Sequence, residues 1–318
     1  MNKEEKLSIE EILERDVENT DLEIPLLCIP SKGRYKKENS LTIQHISKYP
    51  KELRCKVFVY AEEIEEYNEL VKEYTNIEIV EVILPPPEIL KNTYKLKAKI
   101  NFIIEYMKQL DEKFYFIIDD DVKNCKKTYT KYTNGNVYTR CKDTTILHAL
   151  KLHFYTRTHI SKNNPLFSSA LHPGFIFVSL LSNSLVYPFR HLYGIRLCDN
   201  IQMKEIDFKM DDDKSLWDVD IGFTCILKYK KIFESYNTSA FNFFDFNDSG
   251  ASLEGGLHED FSNGLREKES IALKEKYDEY IKVNKEKNTT RQNYRRAVKD
   301  AGIMYIKKQL LKENTDEG

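Results

Sequence analysis

The chain has no CxxC pair; its six cysteines (Cys28, Cys55, Cys125, Cys141, Cys198, Cys225) are scattered singly. That spacing argues against a structural zinc site and a disulfide framework, and reduced thiols in a cytoplasmic compartment are the expectation. No run approaches the ~18 apolar residues of a membrane span, so no membrane partner is expected. The first residues, MNKEEKLSIEEILERD, are charged throughout and lack the apolar stretch of a secretory signal. Glycine is sparse, at 11 residues, and neither an internal repeat nor a low-complexity linker is present. A net charge of −2 gives no overall pull toward nucleic acid or a membrane surface. What remains is 318 residues, 41% hydrophobic and 31% charged. Such a chain can bury the core of one large α/β domain, with or without an appendage.

The order of elements is regular at first. Ser8-Ile-Glu-Glu11 reads as a capping box opening a helix that ends before Asp21. Short apolar runs then alternate with helical patterns: Ile24–Pro30, a helix from about Ser40 to Tyr49, Lys56–Ala61, a helix over Glu62–Tyr74, Ile77–Leu84, a helix over Lys95–Leu110, and Phe114–Ile118. In the second helix Ile64, Tyr67, Leu70 and Val71 share one face. Strands separated by helices of this length predict βαβ units and a parallel sheet, and runs apolar on both faces predict helices on both sides of it. After Asp121 the pattern changes. Thr/Tyr alternate with Lys around Asn134-Gly135, a hairpin signal. Thr144–Ile160 looks helical, Gly174–Leu180 reads as a strand, and Tyr229–Phe246 is β-rich. The division expected is an N-terminal helix over 1–20, one α/β domain over 21–260, and a helical, basic extension over 261–318.

The strongest chemical signal is FYFIIDDDV. Five apolar residues place Asp119, Asp120 and Asp121 at the carboxyl end of a buried strand, where open α/β sheets bind ligands. Three adjacent carboxylates repel one another unless a cation or donor groups offset their charge. Mg²⁺ or Mn²⁺ carrying a diphosphate satisfies them, since hard cations take carboxylate, phosphate and water oxygens. A solvated acidic turn is the bland alternative. Two further acidic stretches follow. Leu216–Phe223 (LWDVDIGF) places Asp218 and Asp220 at the start of a predicted helix, where an acid can serve as a base or merely as a cap. Asp211-Asp212-Asp213 precedes that helix and reads as a polar loop. Gly255-Gly256-Leu257-His258 could bring backbone close to a ligand, with His258 completing a metal sphere, or be an ordinary surface loop. The remaining histidines lack ligand spacing.

From Lys282 to Lys312 ten Lys and Arg face only Glu286 and Asp300. With Thr289 or Thr290 as an N-cap, the pattern TTRQNYRRAVKD predicts a helix on which Arg291, Arg295 and Lys299 fall at i, i+4 and i+8. Tyr294, Val298, Ala301 and Tyr305 would pack on the domain. The basic stripe is either a solvated face or a set of nucleic-acid phosphate contacts.

A first strand ending in IPSKGR, a fourth ending in DDD, and a later acidic motif together resemble the GT-A glycosyltransferases. That resemblance implies a mostly parallel sheet flanked by helices, with a metal-dependent site at its carboxyl edge. It sets Pro30, Ser31 and Arg34 by the nucleotide base, and Asp119 and Asp120 on the nucleoside side of the donor. Asp121, with Asp119 and a late His258, would hold the metal. It also makes Lys97 or Lys99 a donor ligand, Gly255 and Gly256 a donor-side loop, and Asp218 the base. An exposed helix face is the plainer reading of either lysine. Trp217 stands where that family usually has Glu, a departure that bears on the assignment of Asp218. From about Ile24 to Tyr280, IPSKGR, Lys99 and Asn101 ahead of IIDDDV, and the late Gly pair resemble phage glycosyltransferases that decorate hydroxymethylated DNA bases, including those beside TET-type oxygenases. The expected reaction is therefore transfer of a hexose from a UDP-sugar to a hydroxyl, with DNA as a possible partner. The alternatives are an acceptor that is a glycan, lipid-linked sugar or protein, a nucleotidyltransferase, and a non-catalytic nucleic-acid-binding protein.

Overall fold

The computed structural model describes residues 9–84, 86, 95–133, 136–160, 167–170, 186–188, 194–204, 217–232, 234–236, 242–246, 265–284 and 289–303. The first helix, α1 (Ile9–Asn19), buries Leu13 and Val17 and ends as Thr20 Oγ1 donates to the Asp16 carbonyl at 2.6 Å. Three strand–helix steps and a fourth strand follow: β1 (Leu26–Pro30), α2 (Leu41–Ser47), β2 (Cys55–Val59), α3 (Ile64–Val71), β3 (Ile77–Glu81), α4 (Lys95–Lys108) and β4 (Phe114–Ile118). β1 to β4 pair in parallel in the order 3-2-1-4. The chain thus travels outward from β1 to β3, then returns past β1 to lay down β4 on its other side.

Every residue of β1 is buried, and alternate side chains enter two different cores. Leu27 and Ile29 join Ile43 and Ile46 of α2 and Tyr67 and Val71 of α3. Leu26 and Cys28 join Ile100, Ile103, Ile104 and Met107 of α4. A sheet covered on both faces explains why β1 and β4 read as unbroken apolar runs. Fully burying one such side chain stabilises the fold by roughly 1.5–3 kcal/mol. Because α2 and α3 lie on one face and α4 on the other, the winding reverses between β1 and β4, where open sheets form a ligand crevice at their carboxyl ends.

Beyond β4 the chain forms the hairpin β5 (Val122–Thr133) and β6 (Asn136–Thr144), paired from Cys125↔Thr144 to Thr133↔Asn136. Helix α5 (Ile146–Tyr155) is capped by Thr145, whose side chain accepts the His148 N–H, and it widens into a π-helical turn over Thr156–Ile160. Short strands β7 (Phe167–Ala170), β8 (Val186–Pro188) and β9 (Ile195–Asp199) follow, with α6 (Asn200–Lys204), α7 (Trp217–Leu227), β10 (Glu234–Tyr236) and β11 (Asn242–Phe246). They extend the sheet to the order β3-β2-β1-β4-β9-β7-β10-β8, in which β9 and β8 run against the rest, and β11 adds to the β5–β6 hairpin. The strand expected over Gly174–Leu180 lies outside the described residues.

The C-terminal extension differs from the helical reading. Helix α8 (Leu265–Lys276) leads into a two-stranded hairpin, β12 (Ile281–Asn284) and β13 (Thr289–Gln292), and only then into α9 (Tyr294–Asp300). Its apolar residues Leu273, Tyr277, Ile281, Tyr294, Ala297 and Val298 form a third core with Val219, Phe223 and Ile226 of α7. Phe223 stacks on Tyr277 at 4.8 Å and on Tyr294 at 4.4 Å between ring centroids. None of the described helices is long and apolar enough to cross a membrane.

Candidate active site at the carboxyl edge of the sheet

Asp119, Asp120 and Asp121 form the turn between β4 and β5, directly beside the point where the winding reverses. The turn is pinned at both ends by one side chain. Thr42, on α2, donates its hydroxyl to the Asp119 carbonyl at 2.9 Å and accepts the Val122 N–H at 2.9 Å. The Asp119 N–H reaches the Gly194 carbonyl at 2.8 Å, just ahead of the antiparallel strand β9.

The three carboxylates have different surroundings. Asp120 is engaged at both oxygens by the loop after β1. Its Oδ1 lies 2.9 Å from Arg34 Nε, and its Oδ2 accepts the Ser31 hydroxyl at 2.6 Å and the Lys32 N–H at 3.4 Å. Behind Ser31, Tyr67 lies with its hydroxyl 2.7 Å from Ser31 Oγ, and it accepts the Arg34 N–H at 2.9 Å. Asp119 meets Arg196 Nη1 through Oδ1 at 2.8 Å. Among the described residues, Asp121 has a long contact, 3.6 Å, to Arg34 Nη2 and a bond to its own backbone N–H. Among the described residues, two buried arginines pair with the three acids, and the buried Lys99 acts on Asp120 from farther off. Burial, then the charges of Asp119 and Asp120, push the Asp121 carboxyl up to about 7. Burial raises Asp120 also, with Arg34 and Ser31 opposing.

This excess of negative charge is the test of whether a metal fits. Asp121 and the second oxygen of Asp119 are hard oxygen donors, and among the described residues the acids outnumber the arginines paired with them, a donor set of the kind Mg²⁺ or Mn²⁺ takes. Asp120, held by the β1 loop, is the carboxylate least able to turn toward such an ion.

Both lysines singled out on α4 are buried, Lys97 at 5% exposure and Lys99 at 2%, which overturns the exposed-face reading. Lys99 donates to the Ser31 carbonyl and sits 3.8 Å from the centroid of the Tyr60 ring. Burial pulls its pKa down to about 8. It supports the β1 loop from behind. Glu63 does the same from the end of β2, accepting the Gly33 N–H at 2.5 Å, and Gly33 takes the left-handed conformation (φ +69°) that the turn requires. Lys97 points elsewhere, to Asp220 Oδ2 at 3.6 Å.

Asp218 and Asp220 occupy the first turn of α7. Asp218 Oδ1 accepts the Val219 N–H at 2.9 Å. Asp220 is the more heavily engaged, by Lys97, by Lys276 Nζ at 2.9 Å and by the Tyr277 hydroxyl at 2.6 Å. Comparison of the chain with protein-family models and with curated proteins gives no match. The reading of this site therefore stands on its geometry.

Among the expected site residues, the structure brings Ser31, Arg34, Asp119, Asp120 and Asp121 into one cluster at the end of β1 and β4, with Pro30 closing β1 and Lys99 behind the loop. Gly255, Gly256, His258 and Asp211–Asp213 lie outside the described residues. The basic stripe is corrected. Arg291 lies on β13, opposite Lys282 of β12, so it is not one turn below Arg295 on a helix. The cap of α9 is Asn293, which accepts the Arg296 N–H at 3.2 Å, and not Thr289 or Thr290. Arg295 and Lys299 remain one turn apart, and all three cations are exposed. Tyr294 and Val298 are buried as expected of the packing face.

Sequence reasoning missed Arg196, Thr42 and Tyr277. Arg196 had a signal, a lone cation inside the otherwise buried strand IRLCD. A buried cation must find an anion, and β9 carries it past the end of β4, with Ile195 opposite Ile118. Thr42 and Tyr277 carried no local signal.

Proposed function

We propose that the protein is a metal-dependent glycosyltransferase of GT-A-like architecture that moves a hexose from a UDP-sugar to a hydroxyl. The observation that carries this reading is the union of the β1 loop with the strand-end acids. Ser31, Lys32 and Arg34 all engage Asp120 at the switch point, while Asp119 and Asp121 beside it keep an excess of negative charge. A sugar nucleotide offers matching chemistry, a neutral hydrogen-bonding nucleoside next to a diphosphate that needs a cation.

On this reading Asp119 and Asp121 hold Mn²⁺ or Mg²⁺, with His258 as a further candidate ligand. When bound, the metal offsets charge on the departing diphosphate. Pro30, Ser31, Arg34 and Asp120 face the nucleoside, and Gly255 and Gly256 are the candidates for a second donor-side loop. Asp218 takes the acceptor's proton as the acceptor oxygen bonds to the anomeric carbon. The bond from that carbon to the β-phosphate oxygen breaks and UDP leaves, inverting the centre. Lys99 acts by supporting the loop and Lys97 by pairing with Asp220, so neither is assigned a direct donor contact.

For the acceptor we propose a hydroxymethylated pyrimidine in DNA, on the strength of the motif resemblance and the exposed cations of α9. The test is a mass-spectrometric screen of UDP-hexoses with Mn²⁺ against hydroxymethylcytosine DNA, plain DNA and glycans. The expected result is UDP release with a hexose mass added to the modified DNA. Transfer to a glycan alone would replace the acceptor but keep the enzyme class. Pyrophosphate release from a nucleoside triphosphate, with no UDP-sugar turnover, would mean nucleotidyl transfer instead.

A further inference from the structure

Asp220 lies in the first turn of α7 but is bound by two other elements. Its Oδ1 accepts the Tyr277 hydroxyl at 2.6 Å and faces Lys276 Nζ at 2.9 Å, both from the end of α8; its Oδ2 faces Lys97 of α4 at 3.6 Å. Tyr277 is 7% exposed, and its hydroxyl also lies 3.2 Å from the Asp220 carbonyl and 3.0 Å from Thr224 Oγ1. One phenol thus touches both the side chain and the backbone of Asp220 and the residue one helical turn later. Its ring is stacked on Phe223 of the same helix.

We propose that Tyr277, with Lys276, is a positioning residue for transfer: through Asp220 it fixes the first turn of α7, and with it the carboxylate of Asp218. The C-terminal unit is then part of the acceptor side of the site. A hydroxyl aimed at a carboxylate in a largely buried setting has a direction as well as a strength, and a helix held there cannot rotate about its axis. Lys97 and Lys99, two residues apart on α4, tie that turn to the β1 loop, so the two acid sites share one rigid support.

This inference rests on the reading of Asp218 as the base. The experiment uses the full-length protein with Mn²⁺ and the UDP-hexose it turns over fastest, measuring hydrolysis to water, donor binding by calorimetry, and the urea midpoint. Tyr277→Phe keeps the stacked ring and removes one oxygen. Its kcat is expected to fall about tenfold while donor Kd changes by less than about twofold, because small misplacements of a reacting group cost rate and not donor affinity. Lys276→Met should show the same split more weakly, and Lys276→Arg should restore the rate. An unchanged kcat in Tyr277→Phe overturns the inference, as does a fall in kcat matched by an equal loss of donor binding or of folded protein. A wild type that turns over no UDP-sugar removes the glycosyltransferase reading itself, and this inference with it.

Discussion

The two acidic clusters are built from the same residue type and are managed in opposite ways. At the end of β4 three carboxylates share two arginines, and the cluster keeps an excess of negative charge. At the start of α7 one carboxylate, Asp220, is met by two lysines and a tyrosine, so positive partners are in surplus. On the proposed reading the first cluster takes a cation from outside, whereas the second is answered by the protein's own side chains and holds elements together. Asp218, two residues from the second kind of site, accepts the Val219 N–H at 2.9 Å.

The sharpest way to break this contrast is at Asp121. Asp121→Asn should remove Mn²⁺-dependent UDP-hexose turnover by about 10³-fold or more, since a metal ion supplies several kcal/mol of charge stabilisation and each 1.36 kcal/mol is about tenfold. Circular dichroism should show it folded. Turnover like that of the wild type would remove the metal role. Next in size, Asp218→Asn should slow turnover roughly 10²-fold with UDP-sugar binding intact, the cost of a lost general base. If donor affinity falls and the rate holds, Asp218 is a cap. Asp220→Ala should instead show first in urea unfolding, lowering stability by roughly 1.5–3 kcal/mol for lost bonds to a charged group.

Acidity gives a third comparison. Because the Asp121 carboxyl is raised to about 7, it must lose a proton for Mn²⁺ to bind. Calorimetry should find the affinity falling about tenfold per unit as pH drops below about 7, and level above it. The sign for the metal-free fold is the reverse. A carboxyl raised in the folded state contributes stability at low pH that is lost as pH rises through about 7. An affinity flat from pH 5 to 8 would place the metal on other residues. The smallest effect concerns DNA. Removing Arg295 and Lys299 together should reduce the slope of log K against log salt by roughly 2, about 0.9 per phosphate contact. No DNA binding at low salt would move the acceptor to a glycan or protein.

How much of this was legible depends on where the forces act. Strands β1 and β4 could be read because a sheet covered on both faces demands apolar residues at every position, and the acids followed directly on such a run. The same reasoning misplaced Arg291. The segment TTRQ has no apolar residue and is separated from a true helix by Asn293 alone, so charges at helical spacing continued a pattern that pairing with Ile281–Asn284 interrupts. The burial of Lys97 and Lys99 could not be read, because periodicity cannot show which ammonium will find a carbonyl, a ring or a carboxylate distant in sequence. The partners that distinguish Asp119, Asp120 and Asp121 come from β1, α3 and β9, and only the fold assembles them.

The links from Arg34 to Asp120 also impose proton order. A backbone N–H can only donate and a carboxylate can only accept, so the Tyr67 and Ser31 hydroxyls between them are each left with one orientation: Arg34 N–H to Tyr67, Tyr67 to Ser31, Ser31 to Asp120. Four groups from three separate stretches of sequence thus share a single polarity. Were Asp120 neutral, its own hydrogen could point back at Ser31 and the row would gain a competing arrangement. The charge on that one carboxylate decides which way every hydroxyl beneath the β1 loop faces.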